Sequence, residues 1–183
     1  MLERAGLLAA LYTDSSAHSA MGRCAALCGK HAPQPIKRLA GRKIEGVPPE
    51  KIFSSDRYNL HEIGQKLLRV RKQGRALFQQ RDEILSAVMK KWGLNGADTV
   101  YSMYHENLDF VRWAKVRGLY SVVDVFISPA THRVLNKEYE AFPDWGTPPT
   151  QSDIQQEEQL WRETAELADV LICPSEWVAE GVR

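Results

Sequence analysis

The stretch Leu119-Tyr-Ser-Val-Val-Asp-Val-Phe-Ile127 decides the fold. It is almost continuously apolar and rich in β-branched residues, and it lies between Gly118 and Pro129. Such a run reads as a strand covered on both faces. Working outward, Asp98-Thr-Val-Tyr-Ser-Met-Tyr104 predicts a strand before it and Asp169-Val-Leu-Ile-Cys173 a strand after it. Between the first two, Asn107 is placed to cap a helix through Leu108, Val111, Ala114 and Val116, which Gly118 closes. Residues 128–151 hold Pro129, Pro143, Pro148 and Pro149 and read as a long loop with one helical piece near His132–Tyr139. Ser152-Asp-Ile-Gln155 reads as a capping box that opens a helix carrying Ile154, Leu160, Trp161 and Leu167. Pro174-Ser175-Glu176 then opens a last helix. Strand, helix, strand, helix, strand at this spacing predicts βαβ units, a parallel sheet and the α/β class.

The first half is less regular. Leu60, Ile63, Leu67, Val70, Leu77, Ile84, Val88 and Trp92 recur at three- and four-residue steps and predict a long amphipathic helix from Asn59 to Trp92. Gly74 marks a kink or a close helix contact within it, Gly93 a stop and Asn95-Gly96 a turn. Upstream, the pattern predicts a strand near Leu8–Thr13, helices near 19–29 and 34–41, and a short strand near Lys51–Ser54. No internal repeat, low-complexity tract or linker is visible.

The length of 183 residues suits one domain with a sizeable core and is tight for two. The net charge of +1 conceals a polarity. Residues 1–100 carry 17 Lys+Arg against 9 Asp+Glu, and residues 101–183 carry 7 against 14. The basic excess concentrates at Arg57, Lys66, Arg69, Arg71, Lys72, Arg75 and Arg81, which face one acid, Glu62. Its plainer reading is a solvated helix face, with long side chains covering apolar surface. A nucleic-acid partner is not expected, because no aromatic stacking pattern accompanies these charges. The longest apolar run, Gly6–Tyr12, is too short to span a bilayer and lacks the basic flank of a signal peptide. Cys24, Cys28 and Cys173 cannot pair completely within one chain, which favours a reducing, cytoplasmic setting.

The familiar chemical motifs are absent. No G-x-G-x-x-G follows a strand, and Gly22–Lys30 has the wrong spacing for a phosphate loop. There is no Asp-x-Asp pair and no G-x-S-x-G, and Asp109 stands where H-E-x-x-H needs a second histidine after His105-Glu106. Cys24 and Cys28, four apart on a helix, read as core residues before metal ligands. No metal or other cofactor is expected. What remains is position, since open parallel sheets bind ligands beyond the carboxyl ends of their strands. Those ends are Tyr104-His105-Glu106-Asn107, Ile127-Ser128-Pro129 and Pro174-Ser175-Glu176. Asn107 and Ser175 read as helix caps, and His105 and Glu106 as solvated loop residues. Asp124, inside an apolar strand, needs a hydrogen-bonding partner if it is buried, and a ligand hydroxyl could supply one.

Both ends look cut. Met1-Leu-Glu-Arg-Ala-Gly6 reads as the last turn of a helix, and the final helix has a start signal but no stop signal before Arg183. The expectation is therefore a fragment.

Three segments resemble the amino-terminal half of group 1 (family 4) glycosyltransferases, the retaining GT-B enzymes. They are Ala5–Asp14; Gly96–Tyr101 with Ala114–Leu119 and Val122–Pro129; and, most specific, Ala168-Asp-Val-Leu-Ile-Cys-Pro-Ser-Glu-Trp-Val-Ala-Glu-Gly-Val-Arg183. The resemblance implies a Rossmann-like parallel sheet flanked by helices, forming a single acceptor-side domain over residues 1–183. It implies that the first strand and the carboxyl-terminal nucleotide-sugar domain are missing. The implied activity is transfer of a sugar from a nucleotide sugar to a glycan, lipid or similar acceptor, with this chain inactive alone. The alternative is a non-catalytic, flavodoxin-like binding or scaffold module. The residues expected to line the cleft are Asp124, Ser128, His132, Ser175 and Glu176. The histidine that many members carry in the strand matching Val122–Ser128 has Ile127 in its place here. Some members dock on membranes through a basic surface of this domain, which implies peripheral contact at the inner membrane face through Lys66, Arg69, Arg71, Lys72 and Arg75.

Overall fold

The computed structural model describes residues 2–28, 33–58, 60, 75–128, 130–146 and 148–182. They divide into two compact units, Met1–Ala97 and Asp98–Arg183. No described helix is long and apolar enough to cross a membrane.

In the first unit, β1 (Leu11–Thr13) runs parallel to β2 (Ile52–Ser54), with Tyr12 opposite Phe53. Between them lie α1 (Ala20–Leu27), α2 (Gln34–Gly41) and a 3-10 turn, Pro49–Lys51. Ser19 caps α1 by accepting the Gly22 N–H at 2.9 Å. Gly22 is required there, because a Cβ would fall on the Ser16 carbonyl oxygen. The helix α3 (Arg75–Trp92) ends in Trp92, which stacks on Tyr12 at 5.7 Å while Phe53 meets Tyr12 edge-on at 5.5 Å. The Tyr12 hydroxyl donates to the Gly93 carbonyl at 2.5 Å and accepts from Asn95 Nδ2 at 2.7 Å. Gly93, Asn95 and Gly96 all adopt left-handed backbone, which ends the helix and turns the chain.

The expected strand near Leu8–Thr13 is three residues long, and the long helix is observed from Arg75 onward; 61–74, with Gly74, lie outside the described residues. One expectation fails here. Cys24 and Cys28 are exposed. The short helix α1 buries Gly22 and Ala25 instead, so the cysteines fall on its outer side. In two turns the apolar residues are too evenly spread to show which side faces inward.

In the second unit, β3 (Thr99–Met103), β4 (Tyr120–Asp124) and β5 (Val170–Ile172) form a parallel sheet in that order. Four helices accompany it: α4 (Leu108–Lys115), α5 (Thr131–Ala141), α6 (Gln151–Leu167) and α7 (Glu176–Gly181). The predicted α/β order is therefore present. Gly118, at a φ of 85°, closes α4: its N–H meets the Lys115 carbonyl, and the Leu119 N–H reaches back to that of Ala114. The core lies on one face, where Tyr104, Val123, Val125 and Val178 pack with Leu160, Trp161 and Leu171.

Three local expectations are corrected. The run Leu119–Ile127 is not covered on both faces: Ser121, Val123 and Val125 are buried, whereas Tyr120, Phe126 and Ile127 are exposed and Val122 and Asp124 are half-buried. An apolar run has no period, so it cannot show that one face lacks cover. Asn107 stands at the α4 N-cap, but its side chain makes no capping hydrogen bond. Its φ of 55° differs from the extended backbone of a capping residue, and its carbonyl accepts the Phe110 and Val111 N–H groups. The capping box of α6 is Thr150 with Asp153, not Ser152 with Gln155. Thr150 directly follows Pro148-Pro149 and starts the helix two residues earlier.

Candidate functional site

The site is built around one carboxylate. On α6, Ile154, Glu157, Leu160 and Trp161, and Thr164 share a stripe at helical spacing, so Glu157 faces inward among apolar side chains. It is 4 % exposed. A buried carboxylate must be hydrogen-bonded or paired, and two close donors and a more distant imidazole meet it. Tyr104 Oη donates to Oε1 at 2.7 Å, His105 Nε2 lies 2.7 Å from Oε1, and His132 Nε2 lies 3.6 Å from Oε2. Burial pushes the Glu157 carboxyl up, but the hydrogen bonds from His105 and Tyr104, with the charge of both histidines, outweigh it, and the net displacement is downward.

The backbone aims these donors. Tyr104 continues β3, its N–H bonded to the Asp124 carbonyl at 2.9 Å, and its ring meets Trp161 edge-on at 5.5 Å. His105 follows at a φ of 74°, an uncommon conformation for a residue with a side chain, and its ring lies 4.0 Å from that of Tyr104. His132 comes from the first turn of α5. Beside Glu157 opens a pocket of about 200 Å³, walled by His132, Arg133, Ile154, Trp161 and Val182. At its rim the Arg133 guanidinium binds Glu158 and holds that carboxyl below its usual range. A larger cavity of about 270 Å³ borders α3 in the first unit, between Arg57, Glu83, Ile84, Val88 and Lys91.

The cleft residues expected from sequence are dispersed around this centre. His132 lines the pocket. Ser128 is buried beneath it, accepts the Ala130 N–H at 3.2 Å, and lies so close to Gly181 that a Cβ there would fall on its Oγ. Asp124 ends β4 on the opposite face from Val123 and Val125, half-buried, and accepts the Tyr101 hydroxyl at 2.6 Å. That bond, with burial and the charge of Asp124, raises the Tyr101 phenol. Ser175 caps α7 by accepting the Val178 N–H at 3.3 Å, and Glu176 is exposed on its first turn; neither lines the pocket. Lys66, Arg69, Arg71 and Lys72 lie outside the described residues, and Arg75 begins α3.

The centre itself, Glu157 with Tyr104 and His105, is missing from the sequence-based set. His105 is an exposed turn residue, as expected, but its ring also reaches Glu157. The legible signal was a charged residue at an inward position of an apolar stripe. Among the described residues no group of three or more candidate ligands is arranged to hold a metal ion. As assembled, the site is a hydrogen-bonding pocket with an aromatic wall, and its carboxylates are engaged by histidines, a tyrosine and an arginine. Comparison with protein-family models, curated proteins and solved structures gives no match for this chain.

Proposed function

We propose that this chain is the acceptor-side part of a retaining glycosyltransferase that moves a sugar from a nucleotide sugar to a glycan, lipid or similar acceptor. The observation that carries the reading is the pocket at the Glu157 centre. One of its walls, Glu157, is bonded to Tyr104 and His105, which follow β3 at the edge where parallel sheets receive ligands. Its indole wall and convergent polar groups suit a ring that has one apolar face and a rim of hydroxyls. The sequence resemblance of residues 96–129 and 168–183 adds to this.

The same pocket indicates binding rather than bond-breaking. Glu157 is hydrogen-bonded by Tyr104 and His105, and Glu158 is paired with Arg133, which favours holding a ligand over proton transfer. Donor binding and stabilisation of transition-state charge are accordingly assigned to a second domain. The test is titration of the 183-residue chain with neutral oligosaccharides and with nucleotide sugars, following Trp161 fluorescence and the imidazole resonances. Oligosaccharides are expected to perturb Trp161 and His132, with no turnover of the nucleotide sugar. Turnover by the chain alone, or a pocket that no saccharide perturbs, overturns the proposal.

The engaged carboxylates equally favour a non-catalytic, flavodoxin-like binding module. The gene sequence downstream separates the two readings: a second βα domain with paired glutamates supports the transferase, and a stop codon after Arg183 supports the module. Peripheral membrane contact through the basic helix is a separate proposal. Co-sedimentation with anionic vesicles but not neutral ones is its expected result, and equal binding to both removes it.

A further inference from the structure

We propose that the cavity of about 270 Å³ beside α3 binds a phosphate monoester of an apolar alcohol, with Arg57 and Lys91 on the phosphate and Ile84, Ala87 and Val88 under the apolar body. This cavity lies within the first unit and shares no lining residue with the Glu157 pocket. Ile84, Val88 and Lys91 recur at helical spacing and, with Ala87, turn one stripe of α3 toward the cavity. Ile84 and Val88 are half-buried and Ala87 is exposed, so the floor is apolar but still wet. An apolar body laid on it releases that water, which favours binding. The backbone beneath both cations is fixed. Next to Arg57, Asp56 accepts the Met21 N–H at 3.4 Å, and Ser55 accepts the N–H of the buried Tyr58 at 3.1 Å. Beside Lys91, Met89 is buried and Trp92 stacks on Tyr12. The Arg57 and Lys91 side chains themselves remain exposed.

The charges select the ligand. Among the described residues no ion pair engages Arg57 or Lys91. Glu83 also lines the cavity, but it stands eight residues from Lys91 on α3, about 12 Å along the axis, too far to neutralise it. Two cations are matched by a phosphate monoester, which carries a charge of about −1.5 to −2 at pH 7 and three acceptor oxygens. A carboxylate leaves one cation unmatched. A guanidinium grips two phosphate oxygens through parallel N–H donors, and an ammonium adds a point charge. Inorganic phosphate satisfies both cations but leaves the apolar floor wet. The volume lies just below the usual range of small-molecule sites, about 300–1,000 Å³, and holds a body on the order of six carbons or the first carbons of a longer chain. That chemistry is shared by a soluble phosphate ester and by the headgroup of a phosphate lipid.

The test is calorimetric titration of the full chain with hexyl phosphate, inorganic phosphate, hexanoate and hexanol at about pH 8, above the second phosphate pKa of about 6. Hexyl phosphate is expected to bind at least about tenfold more tightly than inorganic phosphate or hexanoate, and hexanol is expected not to bind. In methyl NMR spectra it is expected to shift Ile84, Ala87 and Val88 and to leave Val123 and Val125 of the second unit in place. Arg57→Ala and Lys91→Ala should each weaken binding by about tenfold or more, as loss of a charge-assisted hydrogen bond does. Glu83→Gln should leave binding unchanged or tighten it. All three side chains are exposed, so these variants keep the fold, which an unchanged urea midpoint verifies. Vesicles containing phosphatidic acid separate the two sources. If hexyl phosphate displaces the chain from them, the site takes a lipid phosphate; any other pattern assigns it to a soluble ester. The proposal is overturned if hexyl phosphate does not bind up to about 10 mM, if inorganic phosphate or hexanoate binds equally well, or if Arg57→Ala or Lys91→Ala leaves its affinity unchanged.

Discussion

The His105 imidazole, carried past the end of β3 on a left-handed backbone, lies 2.7 Å from the carboxylate that α6 buries at Glu157. The same Oε1 accepts the hydroxyl of Tyr104, a side chain only 1 % exposed. Glu157→Ala therefore leaves a buried phenol without its acceptor and two imidazoles without their anion. The expected loss is about 2–4 kcal/mol in urea unfolding at neutral pH. A loss below about 0.5 kcal/mol, the level of an ordinary surface substitution, would show that the centre does not hold the unit together.

The acid side of that centre has a definite sign. The Glu157 carboxyl is displaced downward in the folded chain, so its stabilisation is present above the ordinary carboxylate range and is lost as pH falls through its lowered value. The stability gap between wild type and Glu157→Gln is expected to narrow as pH falls from about 7 to about 3. Urea melts at the two ends of that range decide it.

Gly181 and Ser128 are matched in size. A Cβ on Gly181 would fall on Ser128 Oγ, in a spot where Ser128 is 2 % exposed and has little room to move. Gly181→Ala is expected to cost about 1–3 kcal/mol, and Ser128→Ala in the same chain should recover a substantial part of it. A double-mutant cycle measures the coupling, and strictly additive effects would contradict the contact.

Thr150 and Asp153 satisfy each other's backbone N–H groups at the start of α6: Thr150 N donates to Asp153 Oδ2 at 2.8 Å, and Asp153 N to Thr150 Oγ1 at 3.2 Å. Thr150→Ala is expected to cost about 1 kcal/mol, and Thr150→Ser much less. Thermal unfolding of the two variants is the check.

In the first unit, burial raises the Tyr12 phenol above its ordinary value, and the hydrogen bond from Asn95 only partly offsets this. A phenol with a raised folded value stabilises the unit below its unfolded pKa, and that contribution is lost as pH rises through the folded value. Ultraviolet titration should therefore show tyrosines that ionise late, above about pH 10, and Tyr12→Phe should remove one of them while the Tyr101 contribution stays.

Much of the architecture was legible in the chain. The strands around Val100, Val122 and Leu171 announce themselves by β-branched runs, and Gly93 and Gly118 end their helices where left-handed backbone was expected. These are local effects, decided by a few neighbouring residues. Two errors arose where the deciding partner was remote. Nothing near Cys24 tells which side of α1 faces inward, and nothing near Val122 tells whether a second layer covers it. Thr150-x-x-Asp153 and Ser152-x-x-Gln155 are equivalent as patterns, and the paired prolines before Thr150 favour the former.

The site divides in the same way. The sequence alone determined the α/β order and where the strands end, because alternation, capping and turn chemistry act over a few residues; His132, expected from the family resemblance, lines the pocket. Tertiary structure alone decided that Glu157 is the centre. Its inward position depends on the rotation of α6 against the sheet, and its donors come from β3 and α5, far apart in the chain. A buried carboxylate acquires its chemistry from whatever is folded against it, and that is a property of packing rather than of any local stretch.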